Sequence, residues 1–168
     1  KLADLVLAQQ LVLEDVRAET EAERSAEQAR AARFAFVQSL FDIDEAEVYR
    51  QDNDVLIRAQ GFVFSPGNSE IAAVNFPLLN KVIESIRTFE NARIVVSGHT
   101  DSSGDGNSNM RLSQNRASKV AAFLSEVGGF EANRFTSVGY GEQRPIASNE
   151  NSRGRSENRR VEVLIVNQ

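Results

Sequence analysis

The 168 residues include no cysteine and no tryptophan, and histidine and methionine occur once each. Without thiols there is no disulfide framework, no zinc ribbon and no cysteine nucleophile, a usage that suits a cytosolic protein and an exported one equally. Proline occurs three times and glycine ten times, which excludes collagen-like and linker-type sequence. No apolar run approaches the roughly 18 residues that a bilayer helix requires. No basic-plus-apolar leader opens the chain either, so the sequence as given reads as soluble. What is present, 41% hydrophobic and 26% charged residues with a net charge of −5, is the composition of one ordinary folded domain with an added segment.

The charge is unevenly distributed. Residues 1–47 carry 5 basic and 11 acidic side chains, a balance of −6, whereas residues 48–168 carry 14 and 13. The first segment also lacks Gly and Pro and is rich in Ala, Glu, Gln, Arg and Leu, all good helix formers, so it reads as one long helix. Leu2, Leu5, Val6, Val12, Leu13 and Val16 recur at helical spacing, give way to Ala22, Ala26 and Ala29, and return as Phe36, Val37 and Leu40. A stripe this thin cannot be buried by itself. The segment is expected to be an acidic helical linker or an oligomerisation element, lying against the following domain or pairing with a second copy or an envelope protein. Its charges are expected to form a solvated face.

From residue 48 the pattern changes to that of a compact domain. Val48-Tyr49-Arg50 and Val55 to Ala59 flank the polar turn Gln51-Asp52-Asn53-Asp54, a hairpin pattern. Pro77 suits the first turn of a helix with Leu78, Leu79, Val82, Ile83, Ile86 and Phe89 inward and Asn75 as its cap. A β-branched run at residues 93–97 ends at Gly98. A second helix is expected over residues 113–127, with Ala117, Val120, Ala121, Leu124 and Val127 inward and a stop at Gly128-Gly129. Residues 134–140 and 160–166 complete the strands. The alternation predicts an α/β domain, a mixed sheet with helices on one face. Polar loops at residues 101–109 and 148–157 are where function is expected.

Several chemistries are weighed and set aside on the residues alone. His99 lies beside Asp101, Ser102 and Ser103, but no G-x-S-x-G elbow is present, and residues this close at a strand end cannot arrange nucleophile, base and orienter. The stretch Asp101 to Asn109 begins like a calcium loop, yet its twelfth position is Leu112 where a bidentate Glu is required. Arg153, Arg155, Arg159 and Arg160 cluster, but the domain is near neutral and lacks an aromatic platform, so nucleic acid is not the expected partner. The most informative pair is Asp101, just after a buried strand, and Arg116, on the edge of the next helix. They form either a structural salt bridge or a site for a zwitterion, the carboxylate taking an ammonium and the guanidinium forking a carboxylate. Spacing alone leaves both open.

Gly98-His99-Thr100-Asp101, Gly104, Asn109, Leu112-Ser113, Arg116-Ala117, Val120 and Leu124 spell G-H-T-D-x-x-G-x(4)-N-x-x-L-S-x-x-R-A-x-x-V-x(3)-L. Gly139-Tyr140-Gly141-Glu142, Pro145-Ile146-Ala147, Asn149, Gly154-Arg155 and Asn158-Arg159-Arg160-Val161 follow in order. Over residues 54–166 this resembles the OmpA-like C-terminal domain shared with Pal lipoproteins and the stator protein MotB. The resemblance implies a βαβαββ fold and non-catalytic binding of the peptidoglycan stem peptide through diaminopimelate, with no cofactor or metal. It assigns the ligand's ammonium to Asp101 and its carboxylate to Arg116. Thr100, Asn109 and Arg159 are implied as supporting contacts, and Phe64 and Gly67 as pocket lining. The chain departs from many relatives at Ser65-Pro66, where they carry an Asp after the Phe. The resemblance also implies a periplasmic, outer-membrane-associated location with a signal or lipid anchor preceding Lys1. The alternative is a protein-interaction scaffold working through the N-terminal helix with a vestigial wall site.

Overall fold

A computed structural model describes residues 1–60, 62, 64 and 68–167. The chain divides into two compact units, Lys1–Ala35 and Phe36–Gln168. Helix α1, Leu2–Ser39, accounts for the first and enters the second with its last turn, where Val37 is buried. In the first unit the helix rests on propensity and local pairs rather than on a buried face. Arg30 reaches Glu27 at 3.1 Å, while Leu2, Leu5, Val6, Val12, Leu13 and Val16 are all at least half exposed. No helix among the described residues is long and apolar enough to cross a membrane.

The second unit is a five-stranded mixed sheet in the order β1-β2-β5-β3-β4, built from β1 (Ala46–Gln51), β2 (Asp54–Ala59), β3 (Arg93–His99), β4 (Phe135–Gly139) and β5 (Arg160–Val166). Only β3 and β4 run parallel. They are joined by the crossover helix α3 (Gly106–Gly128), as a parallel connection requires. Helix α2 (Phe76–Arg87) packs on α3 and buries Leu78, Leu79, Val82, Ile83 and Ile86. The sheet contributes Ile57, Ile94, Val96, Val163 and Ile165 to the core, each at most 2% exposed.

Four local expectations are corrected. Helix α3 begins at Gly106, seven residues before the expected start, because Asp105 caps it by accepting from Ser108 N at 2.8 Å. Val127 is exposed rather than inward; it is Phe130 that folds back over the helix end, so close that a Cβ on Gly128 would stand 2.4 Å from its ring. Asn75 occupies the cap position of α2 without a capping bond, because it already has helical dihedrals as the last residue of a 3-10 turn, Ala73–Asn75. The polar stretch at residues 148–157 contains helix α4 (Ser152–Asn158), capped by Asn151, which accepts from Gly154 N at 2.7 Å.

Two glycines let α3 sit directly on the carboxyl ends of β3 and β4. A Cβ at Gly98 would stand 2.3 Å from Ser113 O, and one at Gly139 would stand 2.3 Å from Gln114 N. This close approach sets the height of Arg116, one turn further along α3, above the loop that leaves β3.

Candidate functional site

Side chains alternate along β3, so the contact of Gly98 with α3 sends His99 to the opposite face of the sheet. There the imidazole is buried and stacks on Tyr140 with centroids 5.3 Å apart. Glu162 faces it, 3.8 Å from Nε2, and accepts from Arg58 Nε at 3.0 Å and Arg160 Nε at 2.9 Å. Burial, followed by the Arg160 charge, pushes the His99 pKa down to about 4, with Glu162 opposing. His99 thus belongs to a buried cluster with Tyr140, Glu162 and Arg160, and it also lines the cavity that holds Asp101.

Asp101 emerges on the side where α3 begins. The antiparallel register sets His99 opposite Arg160, so residues leaving β3 meet the residues that enter β5. Arg159 thereby reaches Asp101, its Nη1 donating to Oδ2 at 2.6 Å, while Ser103 N donates to Oδ1 at 2.8 Å. Burial alone would raise the Asp101 carboxyl, but the bonds from Arg159 and Ser103 outweigh it and hold the group below its usual range. The direct Asp101–Arg116 salt bridge left open by spacing is not formed; the carboxylate turns to Arg159 instead.

Arg116 is 8% exposed. Its Nε donates to the Asn68 carbonyl at 3.0 Å, and its guanidinium lies 4.4 Å above the Phe64 ring. Burial, then the nearby charge of Arg159, lowers its pKa. Thr100 and Asn109 brace the loop between these charges. Thr100 N donates to Gly141 O at 2.9 Å, and Asn109 Nδ2 donates to Ser103 O at 3.0 Å and to Glu142 at 3.2 Å. Phe64, Thr100, Asp101, Asn109, Arg116 and Arg159 all line one cavity of about 900 Å³. Gly67 lies outside the described residues.

Other contributors escaped the sequence reading. Asn158 donates to Asn149 Oδ1 at 2.8 Å, and that oxygen also accepts from Ser102 N at 3.3 Å, tying α4 to the Asp101 loop. Both asparagines stand within the matched motifs, which was the available signal. The Asn68 contact uses a backbone carbonyl and leaves no trace in residue identity. The remaining arginines of the basic cluster point apart: Arg153 to Glu157, Arg155 to the Asn149 carbonyl, and Arg160 to Glu162 and the Arg144 carbonyl. They form no continuous basic surface. Asp105 caps α3 through Oδ2 and Asp101 accepts from Arg159 through Oδ2, and no group of three or more His, Cys, Asp or Glu side chains able to hold a metal ion occurs among the described residues.

The arrangement offers a small polar ligand the Asp101 carboxylate and the guanidinium groups of Arg116 and Arg159 on one cavity, whose lining also includes Asp105 and Arg160. Comparison with known proteins agrees with this architecture. The model of the OmpA family matches residues 63–159. The chain is 40% identical over 117 residues to photosystem I P700 chlorophyll a apoprotein A2 of Gloeobacter violaceus, covering 66% of this chain and 13% of that protein. It is 33% identical over 102 residues to peptidoglycan-binding protein ArfA of Mycobacterium tuberculosis, covering 61% of this chain and 31% of that protein. Each of these relatives is thus a longer protein that the chain matches in part. Among solved structures, the cell wall anchor of the T6SS from Pseudomonas aeruginosa superposes with a TM-score of 0.70 at 26% identity, covering 83% of this chain and 97% of that one.

Proposed function

The chain belongs to the OmpA family, and from that membership and the charges in the cavity we propose that it binds peptidoglycan and tethers an envelope assembly to the cell wall. The ligand centre is the diaminopimelate of the stem peptide, whose side chain ends in a carbon bearing both an ammonium and a carboxylate. The observation that carries this reading is the placement of the Asp101 carboxylate and the Arg116 guanidinium on the wall of one cavity. Asp101 accepts from the ammonium. Arg116 forks the carboxylate, held in place from below by Phe64 and from the side by the Asn68 carbonyl. Thr100 and Asn109 act by keeping the loop in shape, and the ligand leaves unchanged, so the protein is a binder and not an enzyme. ArfA and the T6SS cell wall anchor, by their names, support the wall as partner, and the corresponding location is the periplasm, next to the outer membrane. Helix α1, Leu2–Ser39, serves as the spacer to the assembly being tethered.

Titration of the folded chain with a diaminopimelate-containing stem peptide tests the reading. Saturable binding is expected, and Asp101→Ala and Arg116→Ala should each weaken it by on the order of ten- to a hundredfold, the scale of one charge-assisted hydrogen bond. Undiminished binding by both variants, with the fold intact, would defeat the assignment.

A further inference from the structure

In the free protein the carboxylate assigned to the ligand's ammonium already has a cation on it. Arg159 Nη1 sits 2.6 Å from Asp101 Oδ2. The Arg159 side chain is 49% exposed whereas that of Asp101 is 11% exposed, so Arg159 is the partner with room to leave. Its charge is also felt by Arg116. Oδ1 already accepts from Ser103 N and Oδ2 from Arg159, so an incoming ammonium competes with Arg159 for Asp101, and an Arg159 guanidinium that gives way loses its carboxylate while still near the Arg116 charge.

We propose that Arg159 makes the cavity demand both charges of an amino-acid centre through an exchange of partners. The ligand's ammonium replaces Arg159 on Asp101, and the released guanidinium joins Arg116 on the ligand's carboxylate. This rests on the zwitterion reading above. For a diaminopimelate centre, one charge-assisted contact is broken and at least two replace it. For a lysine side chain, which brings an ammonium alone, one is broken and one is formed, and Arg159 is left facing Arg116 and the new ammonium. The ion pair therefore acts as a counter-charge that a bare amine cannot offset. Arg159 is a specificity-determining residue whose effect on the two ligands has opposite sign.

The test titrates the full chain, wild type and Arg159→Ala, with two stem peptides identical except for diaminopimelate or lysine at the third position. Arg159→Gln serves as a second variant of near-native volume, and circular dichroism verifies the fold of each. Loss of Arg159 is expected to weaken the diaminopimelate peptide roughly tenfold and to tighten the lysine peptide several-fold, so that the preference collapses from both sides. If both variants weaken the two peptides alike, or leave lysine binding unchanged, the exchange is wrong and Arg159 merely steadies Asp101. Wild-type protein that binds neither peptide would overturn the zwitterion reading itself and the exchange with it. A diaminopimelate peptide that binds wild type and is lost in Arg116→Ala, beside an unmoved lysine peptide in Arg159→Ala, would overturn the exchange alone.

Discussion

Residues 1–35 and the unit that follows use the same aliphatic side chains to opposite effect. Leu2, Leu5, Val12 and Leu13 are between 52% and 79% exposed, whereas Ile57, Ile94, Val120 and Leu124 are fully buried. In the first unit helical structure comes from residues that lose little freedom in a helix and from the absence of any breaker. In the second it comes from tertiary packing that no local preference could supply, as the glycine-mediated seating of α3 on β3 and β4 demonstrates. Apolar periodicity alone therefore identifies a helix but not a core.

The sharpest way to break the comparison is to make the same truncation in both units. Leu124→Ala, at a site with no exposure, should cost about 2–5 kcal/mol, because it removes buried methyl groups and leaves a cavity. Leu13→Ala, on the exposed helix, should change stability by less than about 0.5 kcal/mol. Denaturant unfolding followed at both positions checks this, and a large loss at Leu13 would mean that its face is covered in solution.

Acid should separate the units next. The folded pKa of His99 is about 4, below its ordinary 6.5. The unfolded chain therefore takes up a proton between those values while the folded chain does not. The stability linked to neutral His99 is fully present above pH 6.5 and is lost as pH falls toward 4, on the order of 3 kcal/mol at most. Below that window Asp101 and Glu162, whose carboxyls are both depressed, give up their own contributions as they protonate. The melting temperature of the compact unit should thus fall between pH 6.5 and 4, and His99→Gln should flatten that slope. Helix α1, which has no such buried group, should keep its helical signal; parallel loss of both signals would contradict the division.

Much of this was legible in the sequence, for reasons that individual residues make plain. Strands β2, β3 and β5 announced themselves through β-branched runs, and α2 through a full apolar face. Helix α4, with seven residues, is too short to display a 3.6-residue period, and the start of α3 was hidden because Asn107, Ser108 and Asn109 are poor helix formers that only the Asp105 cap makes helical. The Asp101 and Arg116 positions could be named from the motif that carries them. The pairing of Asp101 with Arg159 could not, since the partners are 58 residues apart and meet only because His99 is set opposite Arg160 in the sheet.

The smallest test concerns what holds the first unit helical. Glu27 and Arg30 lie three residues apart on α1 with an N···O distance of 3.1 Å, the Glu27 side chain 52% and the Arg30 side chain 32% exposed. Exposed pairs at this spacing contribute only about 0.2–0.5 kcal/mol and weaken with salt. Arg30→Ala removes the pair but installs the best helix former, so the two effects nearly cancel, and helicity measured by circular dichroism should barely move. Arg30→Gly removes the pair and adds roughly 1 kcal/mol of backbone cost, so it should fray the helix locally while the melting temperature of the compact unit stays fixed. A compact unit that softened with Arg30→Gly would show that the helix is energetically part of it, and the contrast between exposed and buried aliphatic residues would then describe two faces of one cooperative structure instead of two separate ways of ordering a chain.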